Sequence, residues 1–442
     1  MTDIVTSWPA TPDEPPPDAR LVADIVDVDL TRGATFLPGV PHDAFDELRR
    51  HGGIAWHAEA PVAGLLGDDN PLLQFVDSPG FWVVTSHDLV SEVDRDQARF
   101  SSEAGGTFMP SLTDDSLAMF RQMMLNMDHP RHTRLRRILQ PIFTPRSIER
   151  LRASVEANAA DIAGVLTSGD GAGEVDLVTA VSAEMPLRVL ADLFGMPQED
   201  RHLIYGWSNA LLGADNPGAA QHAEDSMTAL AGMMAYGQAM AEDRRAAPRD
   251  DIVSRIVTAE VDGERLTDDE FQMFWLLLVV AGNETTRNGV SGSVVALHEH
   301  DLWSWLATHL EHLPTAVEEL LRYVSPVQHF RRTATGDVVL GDQRVRAGDK
   351  VVIWFGAANR DPDVFTDPHR LDLLRDPNPH LALGVGPHFC LGAHLARLEM
   401  TEMLRSLLAV APDLTIGEPG RIASNFINGV HDLAVSVGTG AR

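Results

Sequence analysis

The chain has 442 residues, of which 44% are hydrophobic, so it has enough apolar material for a large core. Its 35 basic and 64 acidic residues give a formal net charge of −29 at pH 7, which argues against nucleic acid and anionic membranes as partners. It contains one cysteine, which excludes an internal disulfide and favours a reducing, cytoplasmic setting.

Residues 1–30 are predicted to form a flexible arm because they are acidic and rich in proline. The first residues contain no basic start followed by an apolar run, so we expect no secretory signal. The longest apolar run, MFWLLLVVAG at 273–282, has about half of the roughly 20 residues that cross a bilayer, so it predicts a buried helix and no membrane span. We expect a single catalytic domain over residues 31–442.

In chain order, the first predicted elements are strands in GIAWHAE and GFWVVTSH, which are rich in aromatic and β-branched residues. From Thr144, which can cap a helix beginning at Pro145, helical periodicity dominates to about Tyr323. VVLGDQRVRAGDKVVIWF then predicts a hairpin, a helix follows Cys390, and the tail returns to strand. The expected fold class is a mainly α body with a smaller β-rich lobe built from both ends of the chain.

The cysteine lies in LGVGPHFCLG, where glycines at 384, 386 and 392 surround Cys390. Glycine is used where the backbone must come close to a bulky group. A helix that starts just after Cys390 is expected to favour the thiolate through its unpaired N–H groups. Inert packing is the usual role of a lone cysteine, but the glycines and His388 favour a reactive or ligating sulfur.

The segment AGNETT, residues 281–286, lies in a long helix predicted to begin at a capping box of Thr267 and Glu270. Its glycine and two threonines favour a local bulge or kink. Glu284 beside Thr285 has the chemistry of a proton-delivery pair in an apolar channel. The alternative is an ordinary polar patch, and the residues alone do not separate the two.

In EELLR, Glu319 and Arg322 are one helical turn apart, in a helix for which Thr315 and Glu318 suggest another capping box. A solvated ion pair is the usual meaning of such spacing.

Residues 131–152 contain seven arginines and a single acid, which predicts a docking site for an acidic partner. Within them His132 and Arg136 share a helix face and, with Arg332 of FRRTAT, have donors that can clamp carboxylates.

Taken together, these motifs resemble cytochrome P450, the family of heme-thiolate monooxygenases, over residues 35–437. LGVGPHFCLG matches the family's cysteine pattern except at Leu383, where the family usually has phenylalanine, and ANRDPDVFTDP resembles its meander. AGNETT and EELLR match the acid–threonine and E-x-x-R motifs. The resemblance implies the P450 fold, with heme between a long central helix and the cysteine loop. It also implies that Glu319 and Arg322 form a buried network that locks their helix to the meander near Arg375.

The resemblance implies the roles of single residues by position. Cys390 would be the proximal ligand of iron in heme b (iron protoporphyrin IX), its metal-binding residue. Glu284 and Thr285 would be the catalytic residues that deliver protons. The other residues implied to bind the cofactor are His132, Arg136, Ala281, Arg332 and His388.

The implied function is hydroxylation of a lipophilic small molecule with O2 and two electrons from an acidic ferredoxin and a separate reductase. AGNETTRN, FRRTAT, RDPNPH and SNFINGV are similar to segments of bacterial members that act on sterols and methyl-branched lipids, so we expect a steroid, terpenoid or branched lipid. Candidate pocket segments are GGTFMPSL, RQMMLNM, YGWSNALLG, VQHF and NFINGV. A tailoring role in secondary metabolism, a peroxygenase driven by H2O2 and a non-catalytic heme carrier or sensor are the alternatives.

Overall fold

A computed structural model describes residues 8–61, 74–167, 174–212, 223–261 and 263–437. Its α-helices are α1 (His42–Arg50), α2 (His87–Arg95), α3 (Asp114–Phe120), α4 (Arg131–Leu139), α5 (Pro145–Glu149), α6 (Arg152–Gly164), α7 (Glu184–Phe194), α8 (Arg201–Leu212), α9 (Ala223–Ala246), α10 (Ile252–Thr258), α11 (Asp268–Glu299), α12 (Trp303–Ala307), α13 (Leu313–Val324), α14 (Phe355–Ala358) and α15 (Ala393–Val410). Its strands are β1 (Ile54–Ala58), β2 (Phe75–Val76), β3 (Gly80–Val84), β4 (Phe100–Ser101), β5 (Ser111–Leu112), β6 (Val175–Asp176), β7 (Glu260–Val261), β8 (Glu264–Arg265), β9 (His329–Ala334), β10 (Val338–Leu340), β11 (Gln343–Val345), β12 (Lys350–Trp354), β13 (Leu414–Ile416), β14 (Gly420–Arg421), β15 (Val430–Asp432) and β16 (Ala434–Val437).

The largest sheet joins strands from residues 54–101 to strands from residues 329–354, in the order β1-β3-β12-β9-β4, whereas the tail strands β13 and β16 form a separate sheet with β6. β12 lies parallel to β3 and antiparallel to β9, with Val351 opposite Arg332. The two predicted N-terminal strands are β1 and β3, and the predicted tail strands pair as β13 with β16. These pairings confirm a smaller β-rich lobe beside a helical body.

The predicted hairpin is shorter than expected. β10 and β11 form it, while the apolar segment that follows leaves the hairpin as β12 and enters the large sheet. β12 is buried along its whole length, as expected for a mostly apolar strand that has neighbours on both sides.

The segment before residue 31 packs against the large sheet from about Arg20 onward. The Arg20 backbone N–H donates to Gln343 Oε1 at 3.0 Å, and the adjacent residue forms a parallel bridge with Trp56. Val22 and Leu30 are buried. The packed region therefore begins earlier than the expected boundary at residue 31, and residues 1–7 of the expected arm lie outside the described residues.

The central helix is α11, which runs through the main hydrophobic core. It begins at the predicted capping box, since Thr267 Oγ1 accepts the Glu270 N–H at 3.1 Å and the Glu270 carboxylate accepts the Thr267 N–H at 3.0 Å. Of the predicted bulge or kink, the bulge is wrong, because the helix stays α-helical over all 32 residues. The Thr285 hydroxyl donates to the Ala281 carbonyl at 2.8 Å within that geometry and displaces no backbone bond. Within the described residues, no helix is long and apolar enough to cross a membrane.

The capping box predicted at Thr315 and Glu318 is also wrong. α13 begins earlier, at Leu313, so Thr315 lies inside the helix. The Glu318 carboxylate instead accepts bonds from Arg397 at 2.6 and 2.8 Å and contacts His380 at 3.2 Å. Burial opposes ionisation, but these partners lower the pKa of Glu318 to about 2. The Glu318 side chain, which the spacing predicted to cap α13, therefore binds Arg397 instead.

Candidate active site

Cys390 lies in a loop that packs tightly against the end of α2. Gly384 and Gly386 adopt φ values of +67° and +76°, which side-chain-bearing residues rarely adopt. A Cβ at Gly386 would lie 2.8 Å from the Arg95 Cα, so the close approach also requires glycine there. The Cys390 backbone N–H donates to the Leu383 carbonyl at 2.9 Å and closes the loop.

Cys390 is half-buried as a residue, on the amino-terminal side of α15. Burial raises the pKa of the Cys390 thiol, although a hydrogen bond from the Gly392 backbone N–H acts in the opposite direction. The Gly392 N–H favours the thiolate, as expected for the helix start, but burial has the larger effect on the pKa. α15 begins three residues after the cysteine, and desolvation outweighs the single amide. A bound metal cation reverses this balance, because it stabilises the thiolate directly.

Two predicted cofactor-binding histidines meet beside the cysteine loop. The ring centroids of His132 and His388 are 4.2 Å apart. Burial, followed by the charge of Arg136 and then Arg332, lowers the pKa of His132 to about 4. Burial and the same two arginines lower the pKa of His388 well below its ordinary value. Both imidazoles are therefore neutral at physiological pH, and each offers one N–H donor.

The two predicted arginines reach the same place but are partly engaged by protein groups. Arg136 donates to the Phe389 carbonyl at 2.5 Å, next to the cysteine. Arg332 is buried and donates from Nη2 to Asp94 Oδ1 at 2.6 Å. Because Asp94 already accepts one of its N–H groups, Arg332 would share its donors between Asp94 and a cofactor carboxylate.

The middle of α11 presents an open face. Ala281 is exposed and Thr285 half-buried, although the helix runs through the core. These residues are four apart and share one side of the helix, as do the partly buried Leu277 and Leu278. Incomplete burial along one side of a core helix indicates a space large enough for a bound group.

Glu284 faces a different direction from Thr285. Its Oε1 accepts hydrogen bonds from the Arg287 guanidinium and, at 2.9 Å, from Asn288 Nδ2. Arg287 in turn donates to Asn209 Oδ1 of α8 at 2.9 Å. Glu284 is buried, and its Oε2 has no hydrogen-bond partner among the described residues. The predicted pair is thus split into a hydroxyl on the open face and a clamped carboxylate with one free oxygen.

Three of the predicted pocket segments converge on a row of half-buried phenylalanine rings. Phe108 lies 5.3 Å from Phe426, which lies 5.7 Å from Phe330, and Phe120 lies 5.7 Å from Phe108. The methionines of RQMMLNM behave differently, since Met124 and Met127 are buried in the main core. Plain core filling therefore explains those methionines. Gly213, the last residue of YGWSNALLG, lies outside the described residues.

The E-x-x-R pair forms the predicted buried network. Glu319 and Arg322 are each 0% exposed, and two bonds of 2.7 Å join them. Arg375 Nε also donates to Glu319 at 3.1 Å, and Arg322 donates to the Asn359 and Pro368 carbonyls. The pair therefore joins α13 to the meander, and the surface ion pair is excluded.

Sequence reasoning missed several side chains at this site. Ser102 Oγ lies 3.2 Å from His388 Nε2, and Asp94 bonds both Arg332 and the cysteine loop. Nothing in the sequence marks either residue, because both partners are more than 230 positions away. Arg287 was detectable, since it follows Glu284 by three positions in a predicted helix.

Comparison with known proteins agrees with this geometry. Residues 305–409 match the family model of cytochrome P450. The chain is 36% identical over 417 residues to a steroid C26-monooxygenase of Rhodococcus jostii, covering 93% of this chain and 85% of that protein. It is 39% identical over 400 residues to a methyl-branched lipid omega-hydroxylase of Mycobacterium tuberculosis, covering 89% and 90%.

The chain belongs to the cytochrome P450 family. Among solved structures, Mycobacterium marinum cytochrome P450 CYP268A2 in complex with pseudoionone has a TM-score of 0.84 at 36% identity, covering 93% of this chain and 98% of that one. CYP108D1 from Novosphingobium aromaticivorans has a TM-score of 0.80 at 31% identity, covering 97% and 99%. This P450 is a monooxygenase whose cofactor is heme b.

The described residues fit heme. His132 Nε2 is buried without a hydrogen-bond partner in the described part of the chain, which is the state expected of a donor waiting for a carboxylate. Ala281 leaves space on the central helix, and the half-buried Cys390 lies in the same loop as His388. A flat group with one metal-coordinating side and two acidic substituents matches these three features.

Proposed function

We propose that this P450 hydroxylates a steroid, terpenoid or methyl-branched lipid at a C–H bond, with electrons from an acidic ferredoxin and a separate reductase. The observation that carries the substrate class is the row of half-buried rings at Phe108, Phe330 and Phe426. Aromatic surface that is incompletely buried gains free energy by covering an apolar guest. Two relatives, a steroid C26-monooxygenase and a methyl-branched lipid omega-hydroxylase, support the same class.

Heme b supplies the dioxygen activation that inserts one oxygen atom into a C–H bond. The protein's part is to bind and orient that cofactor. We assign Cys390 as the iron ligand, with the Gly392 N–H directed at its sulfur. The residues assigned to hold the two propionates are His132, Arg136, Arg332 and His388, and Ala281 leaves room on the central helix.

Thr285 and Glu284 are assigned to proton delivery. The Thr285 hydroxyl holds a proton at Oγ1 on the open face of α11. Arg287 and Asn288 occupy Oε1 of Glu284, so Oε2 is the oxygen left to take up and release a proton. Glu284 is thus assigned as the source of the proton, and the Thr285 hydroxyl as the donor nearest the substrate.

A binding and turnover panel tests the proposal. Steroids, terpenoids and methyl-branched lipids should convert the ferric protein from low to high spin, because a guest expels water from the site, and the binders should yield hydroxylated products. Turnover should require NADPH, ferredoxin and reductase together. A spin change with no lipid of the panel would reject the substrate class, and equal product with H2O2 alone would favour the peroxygenase.

Electron delivery is expected to use exposed arginines near the cysteine loop. Arg137 and Arg146 are exposed, and neither forms an ion pair within the described residues. Arg146 lies on α5, which packs against α15, the helix after the cysteine. Arg134, in contrast, forms an ion pair with Glu270 and lies 3.6 Å from Glu264. Carboxylates of the same chain therefore already neutralise its charge.

The double variant Arg137→Ala/Arg146→Ala should therefore raise the ferredoxin concentration for half-maximal turnover by roughly tenfold at low ionic strength. The difference should shrink as salt is added, because salt screens exposed charges. Arg344→Ala, an exposed arginine on β11, is the matched control and should behave as wild type. Wild-type kinetics of the double variant at every ionic strength would remove the docking role.

A further inference from the structure

A buried carboxylate, Asp94, sits where the cysteine loop meets the cofactor-binding arginine. It lies at the end of α2 and its side chain is 2% exposed. Its Oδ1 accepts a hydrogen bond from Arg332 Nη2 at 2.6 Å, and its Oδ2 accepts the backbone N–H of Val385 at 2.9 Å. One carboxylate therefore joins strand β9 to the cysteine loop.

The loop is shaped to receive this side chain. A Cβ at Gly384 would lie 3.3 Å from Asp94 Oδ2, and one at Gly386 would lie 3.1 Å from the Asp94 carbonyl oxygen. Val385 is flanked by these two glycines, and Leu383 accepts the Cys390 backbone N–H at 2.9 Å. Asp94 therefore binds the backbone of the same loop at Val385 whose closing hydrogen bond joins Leu383 to Cys390.

The positive charges assigned to the heme site belong to two arginines, the buried Arg332 and the partly buried Arg136. Arg136 and Arg332 together contribute two positive charges. The two propionates of heme carry two negative charges, which the arginines alone would balance. Asp94 adds one negative charge to this group, and in a poorly solvated site such a charge is only weakly screened.

We propose that Asp94 is a positioning residue of the heme site, which ties Arg332 to the cysteine loop and stabilises the ferric over the ferrous iron. The proposal rests on the assignment of Cys390 as iron ligand and Arg332 as propionate partner. Ferric iron carries one more positive charge than ferrous iron, so a fixed negative charge beside its ligand loop favours the oxidised state. The consequence is a lower reduction potential than the same site would have without the carboxylate.

The test is the ferric/ferrous equilibrium of the purified heme-loaded protein, measured by spectroelectrochemical titration. Asp94→Asn removes the charge at nearly constant volume. It should shift the equilibrium toward ferrous iron by roughly tenfold, which for a one-electron couple is about 59 mV. Asp94→Glu keeps the charge and should hold the potential near the wild-type value.

Asp349→Asn is the matched control. Asp349 is also buried and also paired with an arginine, Arg346, at 2.9 Å, but its other partner is Trp82 in the β-rich lobe. Its neutralisation should leave the potential unchanged. An unchanged potential in Asp94→Asn, or equal shifts in Asp94→Asn and Asp349→Asn, would overturn the proposal.

If Asp94→Asn binds heme too weakly for the titration, the rate of heme loss is measured instead. Loss of a hydrogen-bonding partner behind a cofactor ligand costs about tenfold or more in affinity, so heme transfer to apomyoglobin should be about tenfold faster from Asp94→Asn than from wild type. Asp94→Glu should transfer heme more slowly than Asp94→Asn, and equal transfer rates in wild type and Asp94→Asn contradict the positioning role. A wild-type protein without a thiolate-type spectrum rejects the Cys390 assignment instead, so the two failures are distinguishable.

Discussion

Glu319→Ala should destabilise the protein more than any other single substitution at the E-x-x-R network. The Glu319 carboxylate is fully buried and accepts hydrogen bonds from Arg322, Arg375, Asn378 and the Asp372 backbone N–H. Its removal leaves buried guanidinium groups without a counter-charge, which costs about 3–5 kcal/mol. That is a large part of the roughly 5–15 kcal/mol by which a folded protein is stable.

Chemical denaturation of the heme-loaded protein, followed by circular dichroism and by the heme absorbance, measures this effect. Glu47→Ala is the matched control, because Glu47 and Arg50 have the same three-residue helical spacing but are 33% and 64% exposed. The control should keep the wild-type midpoint, since an exposed pair loses little when one partner is removed. A Glu319→Ala protein as stable as the control would show that the buried network does not hold the meander.

Cys390→Ser should abolish monooxygenase turnover while the chain still folds. Serine matches cysteine in size, so the loop closed by the Leu383 carbonyl is retained. An alcohol is a far weaker donor to iron than a thiolate, and it cannot provide the electron density that favours O–O cleavage. The ferrous carbon monoxide complex should therefore lose the red-shifted absorbance of thiolate coordination, and product should fall below detection.

Leu383→Phe is the companion variant in the same loop. It restores the aromatic residue usual in the family and leaves the sulfur in place, so the thiolate-type absorbance should persist. The chain's single cysteine offers a second measurement, because heme should protect Cys390 from thiol reagents and its extraction should restore one reactive thiol. A red-shifted spectrum in Cys390→Ser would mean that another residue ligates the iron.

The two arginine networks show how burial changes the meaning of a motif. Glu319 and Arg322 have the spacing of an ordinary surface pair, yet they are fully buried and joined to the meander. Arg134 belongs to a basic cluster by sequence, yet its charge is matched inside the protein by Glu270. Charge patterns along the chain therefore identify candidates for partner binding, and only the solvent exposure of each side chain selects among them.

Local order along the chain was sufficient for much of the fold. The capping box at Thr267 and Glu270, the cap at Thr144 and strands β1 and β3 depend on residues within a few positions of one another. The cysteine loop is also local, since its glycines and His388 lie within nine residues. Motif spacing therefore determined the helical body, the position of the sulfur and the membership of the P450 family.

Contacts between distant segments required the folded protein. Asp94 and Arg332 are 238 positions apart, and Glu318 reaches Arg397 across 79. Neither pair has a local signal, because a salt bridge depends on the packing of whole elements and not on the spacing of residues along one of them. The tertiary structure alone decided which side chains surround the sulfur, which oxygen of Glu284 is free and which arginines remain exposed, since all three are consequences of what the fold buries.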